Sequence, residues 1–261
     1  GLRTATADIR YIKVFPEVEG GDKHVRTGTL VFAQTLTPEL APQLVPPPAG
    51  QPARRGFVVD LRQLLIDNGT GKPVLNERPR TWVFDGTWLL EKRDEGAQKQ
   101  FTKTRIVGPG STRDPLRIGE GPLPLPIGQR PSDMLRTFDL SVMTGDAELP
   151  ENTDAKLREL LKPCTQLKLI PRPGTRQARN FSEIRIWYRT TDSLPVFARA
   201  VGTTGSKDEV LLSNMRLNAE VPKGAFDTAT PGPPWQGQVN ELRASDEGGA
   251  PGPEADKKPA K

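Results

Sequence analysis

Proline recurs along this chain at intervals too short for long helices. An interior proline removes a helical hydrogen bond and clashes with the preceding turn, so no stretch accommodates a helix of about 20 residues. The 27 prolines and 25 glycines make up about a fifth of the 261 residues. Hydrophobic residues account for 34% of the chain and the mean hydropathy is −0.54. No stretch approaches the ~18 consecutive apolar residues of a membrane-spanning helix. These features point to a soluble strand-and-turn protein with one sizeable core, long for a single all-β domain.

Net charge is +5 and the isoelectric point is near 9.4. Lys and Arg are spread along the chain, so no nucleic-acid partner is expected. Arg172, Arg176, Arg179 and Arg185 form a local basic group, read as a charge-protected strand edge. The single cysteine, Cys164, excludes an internal disulfide and a thiolate metal cluster, and the single histidine, His24, excludes a His-rich site. A Cys–His pair is formally open, but neither residue has a recognisable setting. No metal and no cofactor are expected. The chain begins at Gly1 without a targeting segment and reads as a processed or trimmed product.

Alternating apolar and polar residues mark short strands. They run over 8–18, 27–34 (with Leu30 and Phe32 on one face), 57–61 (Phe57, Val59), 81–84, 87–92 (Trp88, Leu90) and 98–107. Asp85-Gly86 joins two of them by a tight hairpin turn. Positions 35–54 hold six prolines and read as an extended loop. In 119–130, Leu123, Leu125 and Ile127 alternate with Pro122, Pro124 and Pro126, which excludes an ordinary helix or central strand. Pro131, Ser132 and Asp133 open a short helix carrying Met134, Leu135 and Phe138, and 154–161 forms a second, capped by Asn152 or Thr153. Strands resume at 167–170, 184–188, 196–201 and 210–217. Residues 236–261 are polar, without periodicity, and read as a disordered tail. About ten strands at hairpin spacing without βαβ alternation give one antiparallel sheet, curled or partly closed.

Enzyme motifs fail. Gly69-Thr-Gly-Lys72 lacks the first glycine of a phosphate loop, because position 66 is Ile66, and no G-x-S-x-G elbow occurs. Asp85 is explained by its turn, and Glu91, Asp94 and Glu95 by solvent exposure.

The series Phe181-Ser-Glu-Ile-Arg-Ile-Trp-Tyr188, Ser193-Leu-Pro-Val-Phe197, Val210-Leu-Leu-Ser-Asn-Met-Arg-Leu-Asn218, Phe226 and Pro234-Trp235 resembles the closing strands of the LolA-like family of outer-membrane lipoprotein carriers. The Gly28-Thr-Leu-Val-Phe32 strand, the Asp85-Gly86-Thr-Trp-Leu-Leu90 hairpin and Leu167-Lys-Leu-Ile-Pro-Arg-Pro173 are similar to earlier family strands, in the same order. The resemblance spans most of 8–235.

What the resemblance implies is an α+β, mainly β fold: a single curved antiparallel sheet forming an open half-barrel, with short helices and loops as a lid over an apolar cavity. The domain would be 1–235, with a Pro-rich loop at 35–54, an insertion at 146–164 and a tail at 236–261. Its implied activity is non-enzymatic. The cavity would hold the acyl chains of lipoproteins or lipids and carry them through the periplasm or cell envelope toward the outer membrane. Membrane proteins of the envelope would load or receive the cargo, and the protein would act as a monomer. A relative that senses lipid and acts through a protein partner is the alternative. On this reading Leu30, Phe32, Phe57, Val59, Trp88, Leu90 and Ile186 line the cavity, and Leu123, Leu125, Ile127, Met134, Leu135 and Phe138 belong to the lid. Family carriers hold the empty lid closed with an arginine early in the third strand, a place that Arg54 or Arg55 occupies here. For all these residues an ordinary closed core is the competing reading.

Overall fold

The computed structural model describes residues 3–16, 21–47, 53–67, 69, 73–106, 114–125 and 127–241. One curved, unclosed twelve-stranded sheet dominates them. In chain order its strands are β1 (Thr4–Val14), β2 (Lys23–Ala33), β3 (Gly56–Asp67), β4 (Val74–Phe84), β5 (Trp88–Asp94), β6 (Lys99–Arg105), β7 (Phe138–Thr144), β8 (Cys164–Pro171), β9 (Phe181–Arg189), β10 (Pro195–Gly202), β11 (Lys207–Leu217) and β12 (Gln236–Asn240). The spatial order is β12-β6-β5-β4-β3-β2-β1-β11-β10-β9-β8-β7. All neighbours are antiparallel except β12, which runs parallel to β6. Three short helices accompany the sheet: α1 (Pro131–Thr137), α2 (Ala155–Leu161) and α3 (Arg176–Asn180).

Because side chains alternate along a strand, each face of the sheet has its own apolar layer. One face carries Ile9, Leu30, Phe32, Phe57, Val59, Trp82, Phe84, Val210 and Leu212, and packs against Leu116, Leu123, Leu125 and Ile127 from the segment before α1. This face continues through Phe138, Leu169, Ile184, Ile186, Ala198 and Ala200, against Ile118 and Met134. It is the lid face. The outer face is covered in two separate places. Near β2–β6, Leu36, Ala41 and Phe226 pack on Ala33, Val83, Leu90 and Phe101. Near β8–β10, α2 packs Leu161 against Cys164, Trp187 and Phe197.

The fold departs from the sequence-based expectations at several points. There are twelve strands rather than about ten. Phe138 opens strand β7 instead of closing α1. Asp154, whose carboxylate accepts from the Leu157 N–H at 3.1 Å, caps α2 in place of Asn152 or Thr153. The expected tail does not begin at 236: residues 236–240 are β12, held by backbone pairing to β6 with all five residues exposed. The rest of that expectation, 242–261, lies outside the described residues. Within the Pro-rich loop, 36–44 is folded down on the outer face rather than simply extended. Pro126 also lies outside the described residues.

Candidate functional site

The segment 114–130 crosses the lid face without forming helix or strand. Pro115, Pro122 and Pro124 remove amide donors, and a run of turns carries the chain across the face. Its apolar side chains point into the sheet: Leu116, Ile118, Leu123, Leu125 and Ile127 are 1–5% exposed. The side chains of this segment therefore fill the space over this face of the sheet.

Three polar groups fasten it. Arg55, at the start of β3, is buried and reaches both ends of the segment. One Nη donates to the Gly128 carbonyl and the other pairs with the Asp114 carboxylate. Burial pulls the Arg55 guanidinium below its ordinary pKa, and the Asp114 charge opposes that shift. Gln129 ties the strand-like turns together. Its Nε2 donates to the carbonyls of Leu116 (2.6 Å) and Leu125 (2.9 Å), while its Oε1 accepts from the Ile118 N–H (3.2 Å). Arg117 joins the segment to α1 through Asp133 (3.0 Å) and to Glu120 (3.7 Å). The net effect of these two carboxylates is to raise the Arg117 pKa against the opposing effect of burial, which is the largest single contribution. Asp114 is further placed by its own turn, its carboxylate accepting from the Leu116 N–H at 3.0 Å.

Leu30, Phe32, Phe57, Val59, Leu123, Leu125 and Ile127 come together in one cluster, and Met134, Phe138 and Ile186 in the adjoining one. Three residues lie elsewhere. Trp88 and Leu90 are on the outer face, because β4–β5 pairing sets Leu89 beside Phe84 and turns both flanking side chains away from the lid. Leu135 is 57% exposed: on a helix of two turns, Met134 faces the sheet and its neighbour, rotated by about 100°, faces solvent. Of the two candidate arginines, Arg55 shares the parity of Phe57 and Val59 and meets the lid. Arg54 points the other way, its Cβ 2.6 Å from where a side chain on Gly86 would begin. Asp114 and Gln129 carry no sequence signal of their kind and were not foreseen.

Other candidates resolve into structural roles. Asp85 is buried, accepts from the N–H groups of Thr87 (2.8 Å) and Trp88 (2.7 Å), and receives the Thr228 hydroxyl. Arg185 is buried on the outer face, bound to Glu183, Glu148 and Gln166, so it is not part of a basic edge with Arg172, which pairs with Asp139. His24 on β2 and Cys164 on β8 are separated by four strands. Among the described residues no group of three His, Cys, Asp or Glu side chains is placed to hold a metal, and no helix is long and apolar enough to cross a membrane.

No family model matches the chain, and no curated protein matches it. Among solved structures, it is similar to a DUF1329 family protein from Desulfovibrio piger (11% identity, 87% of this chain and 90% of that one, TM-score 0.36). It is also similar to a putative outer membrane lipoprotein-sorting protein domain from Vibrio parahaemolyticus (11%, 87% and 90%, TM-score 0.32) and to a LolA superfamily protein from Nitrosomonas europaea (10%, 85% and 88%, TM-score 0.21). The linear order of the sheet and the segment strapped across one of its faces make the architecture an open, curved half-barrel covered on one side.

Proposed function

We propose that this protein is a non-enzymatic binding protein of the periplasm or cell envelope. It holds the acyl chains of a lipoprotein or lipid between the lid and the sheet and carries them toward the outer membrane. One observation carries the reading: a Pro-interrupted segment, apolar on its inner side, is fastened over an apolar sheet face by a single buried arginine at its two ends. Arg55 takes the latch role and the residues of the two lid-face clusters take the cargo.

The energetics support exchange of lid for ligand. Fully burying a large aliphatic side chain contributes roughly 1.5–3 kcal/mol. Withdrawing Leu116, Leu123, Leu125 and Ile127 therefore costs about 6–12 kcal/mol. At ~0.8 kcal/mol per methylene, one long acyl chain of roughly 14 methylenes offsets that cost. A ligand of this kind needs no polar anchor inside, which agrees with the apolar clusters beneath the segment; the same face turns polar on β4–β5, where Glu91 pairs with Arg80 and Arg93.

Native mass spectrometry of protein purified from an envelope fraction, together with binding of an acylated peptide, tests the proposal. Co-purified lipid or a complex with the peptide is the expected result. If neither binds at micromolar protein, the reading fails.

A further inference from the structure

Trp88, displaced from the lid face, belongs to a different constellation. On the outer face of β5 and β6, Lys103 Nζ lies 4.8 Å from the Trp88 ring centre and the Arg105 guanidinium 5.9 Å from it. Farther along the same two strands, Lys92 and Lys99 lie 5.9 and 5.7 Å from the ring of Trp235. Register places these groups in one stripe: Trp88 is opposite Arg105, Leu90 opposite Lys103 and Lys92 opposite Phe101. Four cations of β5–β6 thus lie beside two indoles, Trp88 on β5 and Trp235 just before β12; Lys103 is buried and the other five are half-buried.

The stripe has more cations than acids. Lys99 is paired with Asp94 at 2.7 Å and Arg105 reaches Glu241 only at 4.0 Å. Among the described residues, Lys92 and Lys103 pair with no carboxylate, and the buried Arg105 Nε has no hydrogen-bond acceptor. Beside Lys92 and Trp235 opens a cleft of ≈ 610 Å³ floored by Val58, Val83 and Leu90, with Asp60 and Asp227 at its margin.

We propose that this outer face of β5–β6 docks on an anionic lipid bilayer. Indole rings with an apolar body and a polar N–H favour the headgroup level of a membrane, and cations next to them meet the phosphates at the depth where the rings insert. A single-stranded nucleic acid fits less well, because base stacking would have to displace cations that already contact each indole. The surface is on the side of the sheet opposite the lid, so the inference does not rest on the cargo reading. Docking there leaves the lid unobstructed.

The test is co-sedimentation of the full chain with phosphatidylcholine vesicles, with and without phosphatidylglycerol. Binding is expected only to the anionic vesicles and is expected to fall as salt rises. Each lysine near the surface is worth about a fivefold change in partitioning, so Lys92→Gln with Lys99→Gln should weaken it roughly 30-fold. Lys156→Gln with Lys162→Gln removes the same charge from exposed positions on or next to α2 and should leave it unchanged. Absence of binding to anionic vesicles overturns the proposal. So does equal loss in both double variants, or binding of a single-stranded oligonucleotide through the stripe in place of vesicles.

Discussion

Arg55, which immediately precedes β3, and Asp114, the first described residue of the lid, form a largely buried ion pair. The other end of the lid, at Gly128, accepts from the same guanidinium. One side chain thus closes a loop that brackets Leu116, Ile118, Leu123, Leu125 and Ile127. Removing one partner of a buried pair costs about 3–5 kcal/mol because the other charge is left uncompensated. Here the contacts run to the lid, so the cost falls on lid closure. Arg55→Leu should therefore accelerate amide exchange at Leu116 and Ile118 roughly a hundredfold or more, with strand amides in β1 and β11 unchanged. Exchange measured by NMR decides this. Equal acceleration throughout the sheet would mean that lid and sheet open together and that no separate latch exists. On the proposed function cargo would enter only when the segment opens, so the same variant should bind an acylated peptide more tightly than the parent chain.

Gln129 acts on the internal order of the lid rather than on its attachment. Gln129→Leu strips the donor from two carbonyls and the acceptor from the Ile118 N–H. An unsatisfied buried group costs about 1–3 kcal/mol. The expected result is faster exchange at Ile118 with the Arg55 contacts retained, seen as a smaller increase at Leu116. Gln129→Glu loses both donor bonds and sets a carboxylate against the two carbonyl oxygens, so it should loosen the segment at least as much as Gln129→Leu. If Ile118 protection survives both changes, Gln129 does not organise the segment.

A lid that opens locally and a core that melts globally respond differently to the same loss of apolar area. Phe57 belongs to a strand in the middle of the sheet, and Leu125 to the lid that covers it. Large-to-small changes at buried positions cost ~2–5 kcal/mol. Phe57→Ala should lower the thermal midpoint by several degrees. Leu125→Ala should lower it much less while raising exchange across 116–127. Equal shifts by calorimetry would mark the lid as ordinary core and remove its capacity to exchange with a ligand.

Much of this arrangement is readable from strand parity. Counting in twos from Phe57 assigns Val59 and Leu61 to the lid face and also selects Arg55 over Arg54. The pattern at 28–32 works in the same way. Parity carries no information in Trp88-Leu89-Leu90, three apolar residues in a row, and only the pairing of Leu89 with Phe84 decides their faces. Leu135 was misplaced for a related reason: a helix of seven residues is too short for its apolar face to be defined by repetition. β12 has no alternation at all, since every side chain is exposed; its position is set by the unpaired edge of β6. Asp114 and Gln129 bind backbone groups of a segment whose course is itself determined by packing, so nothing local in the sequence marks them.

Asp208 offers a pH-dependent test of the sheet at the junction of β1 and β11. Burial raises its carboxyl pKa, while the Tyr11 hydroxyl, donating at 2.5 Å, and Lys13 oppose the shift. With the folded pKa above the unfolded one, the native state binds more protons, so this residue's contribution to stability declines as pH rises from about the ordinary value of 3.8 through the folded pKa. Asp208→Asn keeps an acceptor for Tyr11 and removes the titration. The variant should gain stability relative to the parent as pH increases across that window, with no further gain once Asp208 is ionised in both states. Urea unfolding at several pH values measures the difference. A constant difference would show that Asp208 does not titrate between the two states.

The junction of β12 with β6 depends on one residue without a side chain. A Cβ on Gly237 would lie 1.9 Å from the Phe101 carbonyl oxygen and 2.9 Å from the Phe101 ring. The first obstacle is backbone in a paired strand, which cannot move aside without breaking its own ladder with β5. Since the side chains of β12 are all exposed, no buried apolar contact of its own compensates for such a shift. Gly237→Ala should therefore release Gln236–Asn240 and leave β6 as the terminal strand. Amides of β6 that face β12 should lose protection, while the thermal midpoint changes little because Trp235 and Phe226 keep the preceding segment on the outer face. Retained protection in β6 would mean that the parallel pair accommodates a methyl group by sliding. A large fall in the midpoint would instead make β12 an integral strand of the sheet rather than a strap along its edge.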